Sequence, residues 1–301
     1  MPLSSFSSSN VSNLHSSLST FNLSLTFSIH TCLKSPENVF LLMGFSVASF
    51  LLLPLYILVL CVGHQRWRKQ RSAVAPVTTS HSDFLTYNMI AMEMISMVGN
   101  CFCCYGTFSG VHSVMVAGLY MSSIASPGQN LLHVLTCVER YLAVVHPIIY
   151  LGLKQSDGIK IRNIVTLCVW IACFVCMHLT EEMVSDFSTA SAACFLVFSF
   201  STVAFCSISV ICVLNRPRPG DGSGERERVD HLKQRAVNTI MVILAALLFR
   251  FVGNLSCIVL YSLAELQEVK CQLLISSLWF SLPSSLVLPL LYLHRAKKLP
   301  G

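Results

Sequence analysis

The sequence predicts an all-α membrane protein, a bundle of seven transmembrane helices with its N-terminus outside and its C-terminus inside. Three observations predict this fold class. Of the 301 residues, 54% are apolar and only 11% are charged, and the mean hydropathy is +0.67. Seven stretches are long and apolar enough to cross a bilayer. All but three of the 20 basic residues fall on one side of these stretches.

The low charge content excludes most soluble proteins. A soluble domain carries about 25% charged residues, so this chain has too few to cover a water-exposed surface. The formal net charge of +6 does not indicate nucleic-acid binding, because the basic residues lie at the ends of the apolar stretches. The lipid bilayer is therefore the expected partner of the surface.

A membrane helix needs about 20 predominantly apolar residues to cross roughly 30 Å of hydrocarbon. The seven stretches that meet this requirement cover residues 39–62, 84–107, 113–138, 161–180, 190–214, 236–263 and 273–293. Together they define a seven-helix domain over residues 39–294.

The orientation follows from the basic residues, which are enriched in cytoplasmic loops. Four groups of them follow the first, third, fifth and seventh stretches, whereas the opposite side has only Lys34 and Lys270. Arg250 falls inside the sixth stretch. These positions place the N-terminus outside.

Three segments lie outside the predicted spans. Residues 1–38 are rich in Ser and lack a cleavable signal sequence, so we expect a disordered extracellular tail, glycosylated at Asn10 and Asn22 within N-x-S triplets. Residues 215–234 include the run RPRPGDGSGERERVD and predict a flexible third cytoplasmic loop. Residues 295–301 form a short cytoplasmic tail.

The segment that ends the third stretch reads ERYLAVVHP, from Glu139 to Pro147. This segment resembles the E/DRY-to-HP region of class A (rhodopsin-like) G-protein-coupled receptors, at the cytoplasmic end of the third of seven helices. Other positions resemble the family's motifs less closely, and they occur in the same order along the chain. They are Asn88 and Glu93 in the second stretch, Trp170 in the fourth, and Ser285, Pro289 and Tyr292 in the seventh.

The chain also departs from the family pattern. Pro54 stands near a position where the family has Asn, and Leu288 replaces the Asn before Pro289. Phe251 occupies the position of the aromatic residue in the family's sixth-helix switch, and Gly253 occupies the position of the proline that kinks this helix. Met115 lies near the place of a cysteine that forms the family's most widespread disulfide.

The resemblance implies an activation switch that contacts a heterotrimeric G protein. Its residues here are Glu139, Arg140, Tyr141, Phe251, Pro289 and Tyr292. The resemblance also implies an extracellular ligand, bound between the outer ends of the helices near Met115, Leu119, Ser122 and Phe280. The seventh stretch contains no Lys, so retinal cannot form a Schiff base there.

A polar site is expected at mid-membrane, where an unpaired charge costs a few kcal/mol. Its charged residues are Glu93 and Arg250, and the resemblance implies Gln129 and Ser284 as the polar neighbours of Glu93. Three alternatives remain for Glu93. It binds a sodium ion, as the corresponding residue does in the family, or it is protonated, or it forms an ion pair with Arg250. Some branches of the family join the N-terminal tail to the third outer loop by a disulfide, which here implies Cys32–Cys271, with two free thiols as the alternative.

The function expected from the sequence is a plasma-membrane receptor that transmits an extracellular signal to G proteins. The alternative is a seven-helix modulator or scavenger that does not signal. No enzyme motif, such as HExxH, GxSxG or a phosphate-binding glycine loop, is present. We therefore expect neither an enzyme, nor a cofactor, nor a metal site at the CxCC run of residues 101–104.

Overall fold

The computed structural model describes Cys32 and residues 35–71, 81–153, 156–182, 186–215 and 223–298. These residues form helices and contain no strand. The helices are α1 (Pro36–Phe50), α2 (Leu53–Arg71), α3 (His81–Ser109), α4 (His112–Val145), α5 (Pro147–Leu153), α6 (Ser156–Glu182), α7 (Asp186–Leu214), α8 (Ser223–Leu263), α9 (Gln267–Trp279) and α10 (Leu282–Lys298). The all-α prediction is confirmed.

Six helical segments within these residues are long and apolar enough to cross a membrane. They cover Pro36–Arg68, Asp83–Ser109, Gly158–Val175, Ala192–Leu214, Asn238–Leu263 and Gln267–Leu293. The chain is therefore a multi-pass membrane protein, and six of the seven predicted spans have counterparts that meet the criterion.

The remaining predicted span lies in α4, which is 34 residues long but more polar. Helix α4 packs against α3, α5, α6 and α7, and its buried residues include Gln129, Asn130, His133 and Thr136. A helix surrounded by other helices can carry such side chains, because neighbouring helices satisfy their hydrogen bonds.

Two of the six segments are interrupted, each by a proline. Helix α1 ends at Phe50 and α9 ends at Trp279, and Pro54 and Pro283 lie four residues further along the chain. A proline has no N–H to donate to the carbonyl four residues earlier, and its ring clashes with that carbonyl. The backbone therefore breaks at residues 51–52 and 280–281.

Three predicted boundaries differ from the structure. Helix α8 begins at Ser223, inside the predicted flexible loop of residues 215–234, because the Glu and Arg residues after Gly224 favour a helix. Helix α10 continues to Lys298, into the predicted tail of residues 295–301. Helix α1 begins at Pro36, inside the predicted tail of residues 1–38, since proline suits the first helical turn. Asn10 and Asn22 lie outside the described residues.

The largest interface of the bundle joins α3 and α4 through a glycine seam, which consists of Gly99, Gly106 and Gly118. A Cβ atom built on Gly118 would lie 2.5 Å from both the Cys103 backbone nitrogen and the Gly99 carbonyl oxygen. Small residues allow membrane helices to approach this closely. The seam fixes α4 against α3.

Candidate functional site

The ERY end of the bundle is the end at which α4 finishes with Glu139, Arg140 and Tyr141. Tyr150 of the short helix α5 donates a hydrogen bond to Glu139 Oε1 at 3.2 Å. The Tyr141 hydroxyl lies 3.2 Å from His146 Nε2, and the Tyr141 ring contacts Phe205 of α7 at a centroid distance of 5.9 Å. Side chains around Arg140 therefore join α4 to α5 and α7.

Tyr292 also lies at the ERY end and joins α10 to α2 and α3. It is 5% exposed, and its hydroxyl lies 2.8 Å from the hydroxyl of Tyr87 on α3. The guanidinium of Arg66 on α2 lies 5.9 Å from the centre of the Tyr292 ring. Tyr87 and Arg66 are partners that the sequence analysis did not identify.

Two landmarks of the family resemblance contact each other. Trp170 Nε1 on α6 donates a hydrogen bond to Asn88 Oδ1 on α3 at 3.1 Å. The two residues are 82 positions apart in the chain, and each was selected from its own local pattern.

Arg250 on α8 is the centre of the mid-membrane polar site. Its side chain is 2% exposed, and all three guanidinium nitrogens donate hydrogen bonds. The acceptors are Gln129 Oε1 at 2.8 Å, Asn130 Oδ1 at 3.1 Å and Ser284 Oγ at 3.1 Å. The structure thus brings together three of the four predicted residues and adds Asn130.

Glu93 joins this site indirectly. Its carboxylate accepts a hydrogen bond from Ser285 Oγ, and Ser285 follows the Arg250 partner Ser284 in the chain. Glu93 and Arg250 attract each other electrostatically, but they do not form a direct ion pair. Arg250 binds Ser284, whereas Glu93 binds Ser285.

A cavity of about 10 Å³, room for about one water molecule, lies beside Glu93. His133, Ser284, Ser285 and Pro289 also line it. The Arg250 guanidinium already offsets the charge of Glu93, which weakens the attraction for a sodium ion. The geometry therefore favours a polar structural role for Glu93 over a sodium site.

Phe251 lies next to Arg250 in the chain and is 1% exposed. It belongs to an apolar cluster with Cys137 of α4, Cys206 of α7 and Leu247 of α8. The residue that stands for the family's switch aromatic is therefore packed where α4, α7 and α8 meet.

The four predicted pocket residues contact two different helices. Met115 packs against Gly106 of α3, Ser122 donates a hydrogen bond to Asn100 of α3 at 3.2 Å, and Leu119 packs on a cluster that includes Cys103 of α3. Phe280 instead lies against α8. Met115, Leu119 and Ser122 share the face of α4 that packs on α3, and the shared ligand pocket stays a prediction.

The Cys32–Cys271 disulfide is confirmed. Its Cα atoms are 5.5 Å apart, and Cys271 is 2% exposed. Asn38 Nδ2 on α1 contacts both sides of the bridge, at 3.0 Å from the Cys32 carbonyl and 3.3 Å from Cys271 Sγ. We call this end of the bundle the disulfide end.

Within the described part of the chain, no three His, Cys, Asp or Glu side chains are grouped so that they could hold a metal ion. Neither a protein-family model nor a curated protein sequence matches this chain. Evidence about the function therefore comes from the residues themselves.

Proposed function

We propose that the chain is a plasma-membrane receptor of the class A G-protein-coupled type, which transmits an extracellular signal to heterotrimeric G proteins. Its seven membrane helices are the six apolar segments and α4, with the ERY end in the cytoplasm. Two conformations of the bundle would differ in how open this end is, and a ligand would shift the balance between them.

The observation that supports the proposal most is the sequence and the packing of the ERY end. The ERYLAVVHP segment lies at the end of α4, and Tyr141, Tyr150 and Tyr292 connect that region to neighbouring helices. The hydrogen bond between Asn88 and Trp170 supports the resemblance independently. The test is G-protein activation in cells that express the chain, measured without ligand against untransfected cells.

The second candidate is a seven-helix modulator that does not signal. The packing of Met115, Leu119 and Ser122 against α3 favours it, because side chains in contact with a neighbouring helix present less surface to a ligand. The ring of Phe280 packs against the ring of Phe249 at a centroid distance of 5.2 Å, which favours the same candidate. Surface expression without activation of any G-protein class would support this candidate.

The proposed orientation predicts glycans at Asn10 and Asn22. Removing both acceptors by Asn→Gln substitution should abolish the mass shift that deglycosylation produces on an immunoblot. Asn254→Gln is the matched control, since Asn254 also begins an N-x-S triplet but lies within a membrane helix. A glycan that persists in the double variant, or is lost in Asn254→Gln, would contradict the orientation.

A further inference from the structure

Arg250 lies near the middle of the membrane span Asn238–Leu263, and its contacts cross helix boundaries. Two of its acceptors, Gln129 and Asn130, are on α4, and the third, Ser284, is on α10. One side chain of α8 therefore holds two other helices. Through Ser285, the network extends to Glu93 on α3.

Each of the three guanidinium nitrogens donates one hydrogen bond to a different side chain. Hydrogen bonds from a charged donor are about twice as strong as those between neutral groups. In a membrane interior, water is not available to replace them, so a guanidinium that loses its partners is costly to keep buried. A shift of α8 away from α4 or α10 must break at least one of these bonds.

The position of Arg250 along α8 makes the network relevant to movement at the ERY end. Phe251, the next residue, packs among α4, α7 and α8, and Gly253 lies against the Phe280 ring. The part of α8 that precedes Arg250 extends toward the ERY end, so a fixed Arg250 restrains that half of the helix.

We propose that Arg250 is an interhelical lock that holds the ERY-end half of α8 against α4 and α10, and that release of this lock accompanies activation. The part that concerns activation rests on the proposed receptor function, whereas the restraint on α8 does not. The lock is built from neutral acceptors, and Ser285, the residue after Ser284 on α10, joins it to the carboxylate of Glu93 on α3.

The restraint is tested by hydrogen–deuterium exchange on the purified full chain in lipid nanodiscs. In Arg250→Met, amides of residues 238–247 should exchange roughly tenfold faster than in the wild type, because three charge-assisted bonds are lost. Ser284→Ala removes one bond and should give a smaller increase, roughly threefold. Amides of residues 158–175 on α6 should not change.

Asn254→Ala is the matched control, because Asn254 lies one turn further along α8 and its buried Oδ1 has no hydrogen-bond partner. It should leave exchange in residues 238–247 unchanged. If Arg250→Met fails to fold, the same exchange is measured in Ser284→Ala and Arg250→Lys. Lysine keeps the charge but lacks the planar group that reaches three acceptors. Equal exchange in wild type and these variants would overturn the lock.

Ligand-free G-protein activation is measured on the same variants. Faster exchange with a raised basal signal supports both the lock and its release on activation. Faster exchange with no signal from any variant supports the restraint on α8 and counts against the proposed receptor function. A raised signal without faster exchange overturns the lock and leaves the receptor function standing.

Discussion

Gly118→Ala should destabilise the bundle, although alanine normally stabilises a helix relative to glycine. The added Cβ would lie 2.5 Å from two backbone atoms of α3, which cannot rotate out of the way. Overpacking of this kind costs about 1–3 kcal/mol, which corresponds to a fall in melting temperature of about 2–5 °C for a chain of this size. Thermal unfolding of the purified protein, followed by size-exclusion chromatography, measures the change.

Gly152→Ala is the control for this experiment. Gly152 also lies in a helix, α5, but a Cβ built on it meets nothing within 4 Å. This substitution should leave the melting temperature unchanged or raise it slightly. If Gly118→Ala proved as stable as Gly152→Ala, α3 and α4 would not be in the close contact that the glycine seam requires.

Cys271→Ser should have the second large effect. The Cys32–Cys271 disulfide closes a loop with a sequence separation of 239 residues and ties the chain before α1 to α9. Loss of a native disulfide typically costs about 2–5 kcal/mol, so we expect a lower melting temperature and reduced surface expression. The double variant Cys32→Ser/Cys271→Ser should be no less stable than Cys271→Ser, because both lack the same bond.

Cys168→Ser serves as the control for the disulfide, since Cys168 is an exposed free thiol on α6. It should keep wild-type stability. Two results would contradict the disulfide's role: equal melting temperatures for Cys271→Ser and wild type, or a further loss of stability in the double variant.

Composition and hydropathy were sufficient to predict an all-helical multi-pass membrane protein, because length and apolar content are the physical requirements for crossing a bilayer. The disulfide was implied by the family resemblance, since Cys32 and Cys271 lie just before predicted spans. The ends of α1 and α9 follow from Pro54 and Pro283, but the sequence analysis treated Pro54 only as a departure from the family.

The polar site was predicted in part. Glu93, Gln129, Arg250 and Ser284 stood out because charged and polar groups are costly at mid-membrane. Asn130 was missed because residues at adjacent positions on a helix normally face different neighbours, yet the long guanidinium of Arg250 reaches both Gln129 and Asn130. The contacts of the predicted pocket residues with α3 were not foreseen, because spacing along α4 shows which residues share a face but not which helix covers that face.

The central claim is that the ERY end activates G proteins, and Arg140→Ala tests it most directly. Ligand-free activation of each G-protein class is measured in cells at matched surface expression, with Arg68→Ala as the control, since Arg68 is an exposed arginine on α2. We expect a basal signal that Arg68→Ala retains and Arg140→Ala abolishes. An equal signal from the wild type and Arg140→Ala, or none from the wild type at full surface expression, would contradict the account.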